Sequence, residues 1–254
     1  MKNRRLQMLA LGALLCAPLA AQQSPLRIFI RASVKTHGPG QHDYPRFLAD
    51  WKKLLADRGA VVNGSERFPT AGELSKTDVL IDYAADGGTV KPEERAILDS
   101  YLKRGGGVVV MHDGMCSNDA SWFAGIIGGA KQHGERNWRA GALKIHFEDR
   151  SHPIVNGAED FEVQDEMFFR LRTAPEMHVL ATSPDPEGAA VPQLWTYEKT
   201  IPGGQPYRAF VSLQGHLYAI FELPVYRTLL LRGIAWAGKR PANLLVDTKV
   251  SQSR

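Results

Sequence analysis

Gly105-Gly106-Gly107-Val108-Val109-Val110-Met111-His112-Asp113-Gly114 is the stretch that decides the fold. Glycines turn the chain, four apolar residues follow without alternation, and a histidine and an aspartate end the run. A strand that is apolar at every position is buried on both faces, the habit of a parallel sheet covered by helices. Upstream, Thr77 to Tyr83 (TDVLIDY) reads as a second such strand, and Pro92 to Lys103 between them as a helix beginning near a proline. Leu26 to Val34 opens the series as a strand. Phe47, Leu48, Trp51, Leu54 and Leu55 then recur at helical spacing until Gly59, and Ala60 to Val62 is a short strand. Strand, helix, strand, helix, strand predicts the α/β class, a mostly parallel, doubly wound sheet.

Beyond a short helix at Trp122 to Ile127 the pattern changes. Ala142 to Phe147, Glu162 to Leu171, His178 to Ser183, Gln193 to Glu198 and Tyr207 to Leu213 predict strands joined by short turns, an antiparallel β extension, and Leu223 to Trp236 a closing helix. No repeat or linker interrupts the series, so residues 26–240 read as a single domain and 241–254 as a C-terminal tail.

The 44% hydrophobic and 23% charged composition excludes a disordered chain. At the N-terminus, Lys2, Arg4 and Arg5 precede an apolar run from Leu9 to Leu15 and small residues ending at Ala20-Ala21. That is the layout of a secretory signal peptide over residues 1–21. The run is too short to span a bilayer, and Leu15 before Cys16 is not the small residue of a lipid-anchor signal, so no membrane anchor is expected. The expected destination is export, to the periplasm. Without the three basic residues of this segment, the 31 Lys and Arg nearly balance the 27 Asp and Glu, which removes the case for a nucleic-acid partner. Only Cys116 then remains, so no internal disulfide can form.

Ligands of open parallel sheets sit beyond the carboxyl ends of the strands. Of the eight histidines, His37 and His42 follow the first strand, His112 with Asp113 ends the fourth, and His216 follows the Tyr207 strand through Gln214-Gly215. Asp82 and Asp86 end or follow the TDVLIDY strand. His112 and His216, each where a buried strand meets a loop, are the strongest candidates. His133 lies in a glycine-flanked loop (GGAKQHGERNW) that can reach the same edge. Asp165-Glu166 interrupts an otherwise aromatic strand, as a solvated face or as an insertion into a pocket. His146 and His178 read as structural and His152 as a loop cap. Cys116 comes four residues after the strand-end position a nucleophile would take, so it is not assigned that role. No GxSxG, P-loop, GxGxxG or CxxC pattern is present.

Eight pieces in order (HDYPRFLADWKKLL, GGGVVVMHDG, GGAKQH, SHPIVNG, DEMFF, PQLW, FVSLQGH and RTLLLRGIAWA), spanning about residues 27–238, resemble the ThuA-like (trehalose utilisation) proteins. The resemblance implies the flavodoxin-like fold of class I glutamine amidotransferases. It also implies a role in carbohydrate metabolism, on a sugar or a 3-keto-glycoside, with a sugar oxidoreductase as a pathway partner. His42, His112, His133, Glu166 and His216 fall in its recurrent motifs. Where an amidotransferase would place its nucleophilic cysteine this chain has His112, and the acidic residue expected two positions after His216 is Tyr218, which argues against glutamine hydrolysis.

Three readings follow. In the first, an enzyme (hydrolase, lyase or isomerase) works by acid–base chemistry, with His112 or Glu166 as base and His216 as acid or electrophile. His42, His133, Asp113, Asp165, Tyr44 and Trp138 then hold the sugar. The second adds one divalent metal, such as zinc or manganese, held among His42, His112, His216 and Glu166. In the third, a non-catalytic sugar-binding protein offers Trp138, Trp195 and Tyr44 as stacking faces. Trp51 and Trp236, at helical spacing, are core.

Overall fold

The computed structural model describes residues 24–247; the signal peptide expected over residues 1–21, and the end of the tail from residue 248, lie outside the described residues. The first half alternates strands and helices: β1 (Arg27–Arg31), α1 (Tyr44–Ala56), β2 (Val61–Ser65), α2 (Ala71–Leu74), β3 (Val79–Asp82), α3 (Pro92–Lys103) and β4 (Gly107–Met111). A 3₁₀ turn (His112–Met115), β5 (Cys116–Ser117), α4 (Ala120–Ile127) and β6 (Gly129–Gln132) follow. The second half runs through β7 (Trp138–Phe147), β8 (Phe161–Phe168), β9 (Arg172–Thr173), β10 (His178–Pro184), β11 (Ala190–Thr200) and β12 (Pro206–Ser212) to α5 (Pro224–Ala237).

Nine strands form one mixed sheet in the order β2-β1-β3-β4-β12-β11-β10-β7-β8. From β2 to β12 every neighbour is parallel; from β12 to β8 every neighbour is antiparallel. The change falls at β12, whose parallel partner is β4, the strand of Val108-Val109-Val110. All five residues of β4 are buried, as its unbroken apolar run requires. α5 packs on β12, β4 and β3, and α1 on β1 and β2. The core follows this sheet, with Phe29, Tyr83, Val109, Trp195 and Phe210 almost completely buried, each side chain of that size contributing about 2 kcal/mol.

The sequence expectations for the long elements agree with this order, with ends shifted by a few residues. The small second sheet, β5-β6-β9, was not foreseen: its strands have two to four residues, too few to set up a periodicity. Part of the expected tail is built in: Ala242–Leu245 forms a 3₁₀ turn against α5, and Leu245 supplies the apolar side chain that holds it there. No helix among the described residues is long and apolar enough to cross a membrane.

Candidate functional site

The site lies at the carboxyl edge of the parallel strands. His42 comes from the loop after β1, His112 is the first residue after β4, and His216 lies in the loop after β12; Glu166 reaches them from β8. Their donor atoms turn toward one point. His42 Nε2 is 3.0 Å from His112 Nε2 and 2.9 Å from His216 Nδ1. Glu166 Oε2 is 2.9 Å from His216 Nδ1 and 3.6 Å from His112 Nε2. A four-coordinate site with bonds of about 2.1 Å has donor atoms ~3.4 Å apart, so the spacing fits one small divalent cation. Three imidazoles and a carboxylate are a donor set for zinc or manganese.

The rings are held in place from behind. His112 Nδ1 lies 3.0 Å from the Leu213 carbonyl, which can only accept, so this nitrogen carries the ring proton and Nε2 is bare. On His42 the outer nitrogen meets the Tyr44 hydroxyl at 2.8 Å, and that hydroxyl donates to Asp113 Oδ2 at 3.1 Å. The chain Asp113–Tyr44–His42 leaves Nε2 of His42 bare as well. Asp165 stands one residue from Glu166 and secures the fourth partner: its carboxylate accepts from the backbone N–H of Glu166, Gly215 and Leu217 at 2.8, 2.8 and 3.1 Å. The loop of His216 is thereby tied to β8.

Backbone geometry marks the same residues. His42 and His112 adopt φ of 42° and 46°, a left-handed conformation that non-glycine residues rarely take and that gathers at functional positions. Gly215, at φ 139°, sits against His112, where an added Cβ would lie 3.1 Å from the His112 Cβ. Glycine there lets the β12 loop pass close beside the histidine.

Electrostatics separate the three rings. Burial, with the neighbouring rings, pushes His112 down to about 3, and burial followed by the charge of His112 lowers His42 similarly. For His216 burial again opposes charge, but the hydrogen bond and charge of Glu166 outweigh it and raise the pKa. Burial lifts Asp165 to about 6, against three backbone donors that pull it down. With Nδ1 of each ring held by its neighbour, the bare Nε2 atoms of His42 and His112 face each other at 3.0 Å, lone pair toward lone pair, an arrangement that a cation or a shared proton would relieve.

A cavity of about 510 Å³ opens over the cluster, a volume usual for a small-molecule site. Asp86, Asp113, His133, Trp138 and Phe168 line it with three of the four cluster residues. Trp138 is 52% exposed at its rim. His133 Nδ1 is 2.5 Å from Asp86 Oδ1, and burial raises the Asp86 carboxyl although His133 partly offsets it.

The structure thus brings His42, His112, Glu166 and His216 together and sets Asp113, His133 and Trp138 on the cavity. It does not bring Tyr44 or Asp165 to the cavity wall as sugar-holding groups. Both are buried behind the cluster, where their polar atoms are consumed in fixing His42 and His216. Trp195 is fully buried in the core with its indole N–H on the Ile127 carbonyl, so it offers no stacking face. Asp82 is buried against Arg31 at 2.9 Å. His146 and His178 pair with Asp160 and Asp149, and His152 Nδ1 accepts from the Ile154 N–H, a loop cap. Burial drives the Cys116 thiol far above its usual range, which removes the thiolate a nucleophile needs. Sequence reasoning missed Phe168, stacked on His112 with centroids 4.9 Å apart; an aromatic in an aromatic strand gives no sign of which ring it will cover.

The sequence model of the ThuA family, described as trehalose utilisation, matches residues 33–237, and the chain belongs to that family. Among solved structures it is similar to a ThuA-like protein from Bacteroides uniformis, at 17% identity and a TM-score of 0.66, over 87% of this chain and 95% of that one. A second, from Parabacteroides merdae, shares 20% identity at a TM-score of 0.62 over 84% and 90% of the two chains. A β-galactosidase from Rahnella sp. R3 matches 82% of this chain with 31% of its own, at 13% identity and a TM-score of 0.52. At such identities the likeness is one of fold. No curated protein matches the chain.

Proposed function

We propose that the chain is a metal-dependent enzyme of carbohydrate metabolism that binds one divalent cation, zinc or manganese, and acts on a sugar or 3-keto-glycoside. The observation that carries the reading is the convergence of His42 Nε2, His112 Nε2, His216 Nδ1 and Glu166 Oε2 on one point, with His42, His216 and Glu166 lining the cavity and His112 buried just beneath it. In this reading the four residues hold the metal, which when bound polarises a substrate oxygen. Trp138 gives a sugar ring an apolar face at the rim, while Asp113, whose carboxylate accepts the Tyr44 hydroxyl, is given to orienting His42. His112 and Glu166, considered as bases from sequence, are given to coordination instead, because their free atoms face one another.

The parallel strands in the order β2-β1-β3-β4-β12 support reading that half as flavodoxin-like, with the site at its carboxyl edge. Export to the periplasm, on the strength of the N-terminal segment, and a sugar oxidoreductase that supplies the keto-sugar complete the proposal.

The test is turnover. Protein loaded with zinc or manganese should consume a 3-keto-glucoside, and stripping the metal should stop it. Binding of the unmodified sugar with no consumption of the oxidised one would replace this reading with that of a sugar-binding protein.

A further inference from the structure

If four residues are given to a cation, none of their inward atoms is free to move a substrate proton, and another group on the cavity wall must do so. We propose that His133 and Asp86 are that proton-transfer pair, His133 touching the substrate and Asp86 acting through it as a positioning residue. The inference rests on the metal reading above and deepens it.

Both residues line the cavity. His133 Nδ1 stands 2.5 Å from Asp86 Oδ1. A carboxylate there fixes the proton on Nδ1 and leaves Nε2 bare, the form of a general base, and it stabilises the imidazolium once a proton is taken. Each partner is anchored independently of the other. The His133 N–H donates to the Ser117 carbonyl at 2.9 Å, beyond the end of β6. Asp86 adopts φ 47°, and its N–H donates to Asp113 Oδ2 at 3.4 Å. The next residue, Gly87, lies so near Gly114 that an added Cβ would come within 2.9 Å of the Gly114 Cα, which presses the Asp86 loop onto the loop of His112.

Other titratable residues of the wall lack this arrangement. Asp113 accepts the Tyr44 hydroxyl, and Glu135 is paired with Arg172 at 2.6 Å. Lys131 donates to the Glu135 carbonyl at 3.0 Å. His37 has a hydroxyl, that of Thr36, at its Nδ1 and, among the described residues, no carboxylate paired with it.

On a 3-keto sugar, Nε2 of neutral His133 takes the proton from the carbon beside the carbonyl. The C–H electron pair becomes the new C=C bond, the carbonyl π pair moves onto the oxygen as enolate, and the imidazolium is neutralised by Asp86. Returning that proton to carbon, as the enolate oxygen pair re-forms the carbonyl and the C=C pair takes up the proton, closes the step without any added oxidant or reductant.

The experiment follows hydrogen exchange beside the carbonyl of methyl 3-keto-glucoside in D₂O by NMR, using metal-loaded protein. The unaltered protein should exchange that hydrogen. His133→Ala should slow it by about 10²–10⁴-fold with metal content unchanged, and added imidazole should restore part of the rate. Asp86→Asn should slow it less. The pair is about half exposed, so these variants should fold. Undiminished exchange in His133→Ala, or metal lost from it, would overturn the pair alone. No exchange by the unaltered protein would overturn the carbohydrate reading and the pair with it.

Discussion

His42 and His216 are joined twice. The His42 N–H donates to the His216 carbonyl at 2.9 Å, and the two rings meet through Nε2 and Nδ1 at the same distance. Between them, Gln41 and Leu217 form an isolated antiparallel bridge. Loops from β1 and β12, strands with β3 and β4 between them in the sheet, are therefore fastened to each other before any ligand enters. Such a pre-formed cluster spares a bound cation the cost of ordering its ligands.

Asp165→Asn tests the anchor of this arrangement. An amide offers one acceptor oxygen and turns an N–H₂ toward at least one of the three backbone N–H donors that the carboxylate now satisfies. The expected cost is about 1–3 kcal/mol of stability in urea unfolding, with metal affinity weakened roughly 10–100-fold. Wild-type affinity in a folded variant would contradict the role given to Asp165.

Tyr44→Phe removes one hydroxyl and leaves the buried ring. It breaks the chain from Asp113 to His42 Nδ1 and frees the His42 ring to change tautomer. Metal competition should show weaker binding by about tenfold or more, while stability falls by only about 1 kcal/mol. Equal affinity in the two proteins would show that the hydroxyl does not orient the ring.

The metal-free protein should be acid-sensitive in a defined direction. His42 and His112 are held neutral by burial, with His112 near 3, whereas the unfolded chain protonates both near 6.5. Between those values the unfolded state binds more protons, so these two rings make stability fall as pH falls. His216, raised through Glu166, contributes the opposite sign, present below 6.5 and lost as pH rises through its folded value. Histidine NMR should find two rings still neutral at about pH 5 and one titrating above the ordinary value. Three rings titrating together near 6.5 would contradict the cluster's electrostatics.

Trp138→Ala removes an exposed ring that supports no core, so stability should stay within about 0.5 kcal/mol and metal content should not change. The KM for a keto-sugar should rise several-fold with kcat little altered. An unchanged KM would place the sugar elsewhere in the cavity.

How much of this could be read from sequence depended on where each signal comes from. His112 was legible because Val108-Val109-Val110-Met111 announces a buried strand and the rule for parallel sheets points to its end. His216 was legible for the same reason at the end of β12. Glu166 was ambiguous from sequence, since an acidic pair in an aromatic strand is explained equally by solvent or by a pocket. Tyr44 and Asp165 were assigned to the substrate because a polar residue beside a ligand looks the same whether it faces the cavity or stands behind. Only burial separates the two cases. Trp195, read as a stacking face, went into the core through a hydrogen bond to Ile127, 68 positions away, and Asp86 meets His133 across 47. Pairings at such separations leave no periodicity in the chain.

The metal content of protein purified without chelators tests the central claim most directly, measured beside His112→Ala and His216→Ala. The account predicts about one equivalent of zinc or manganese in the unaltered protein and loss of it in both folded variants. Absence of metal from the unaltered protein, together with no binding when zinc or manganese is supplied, would contradict it and leave three histidines and a glutamate sharing protons alone.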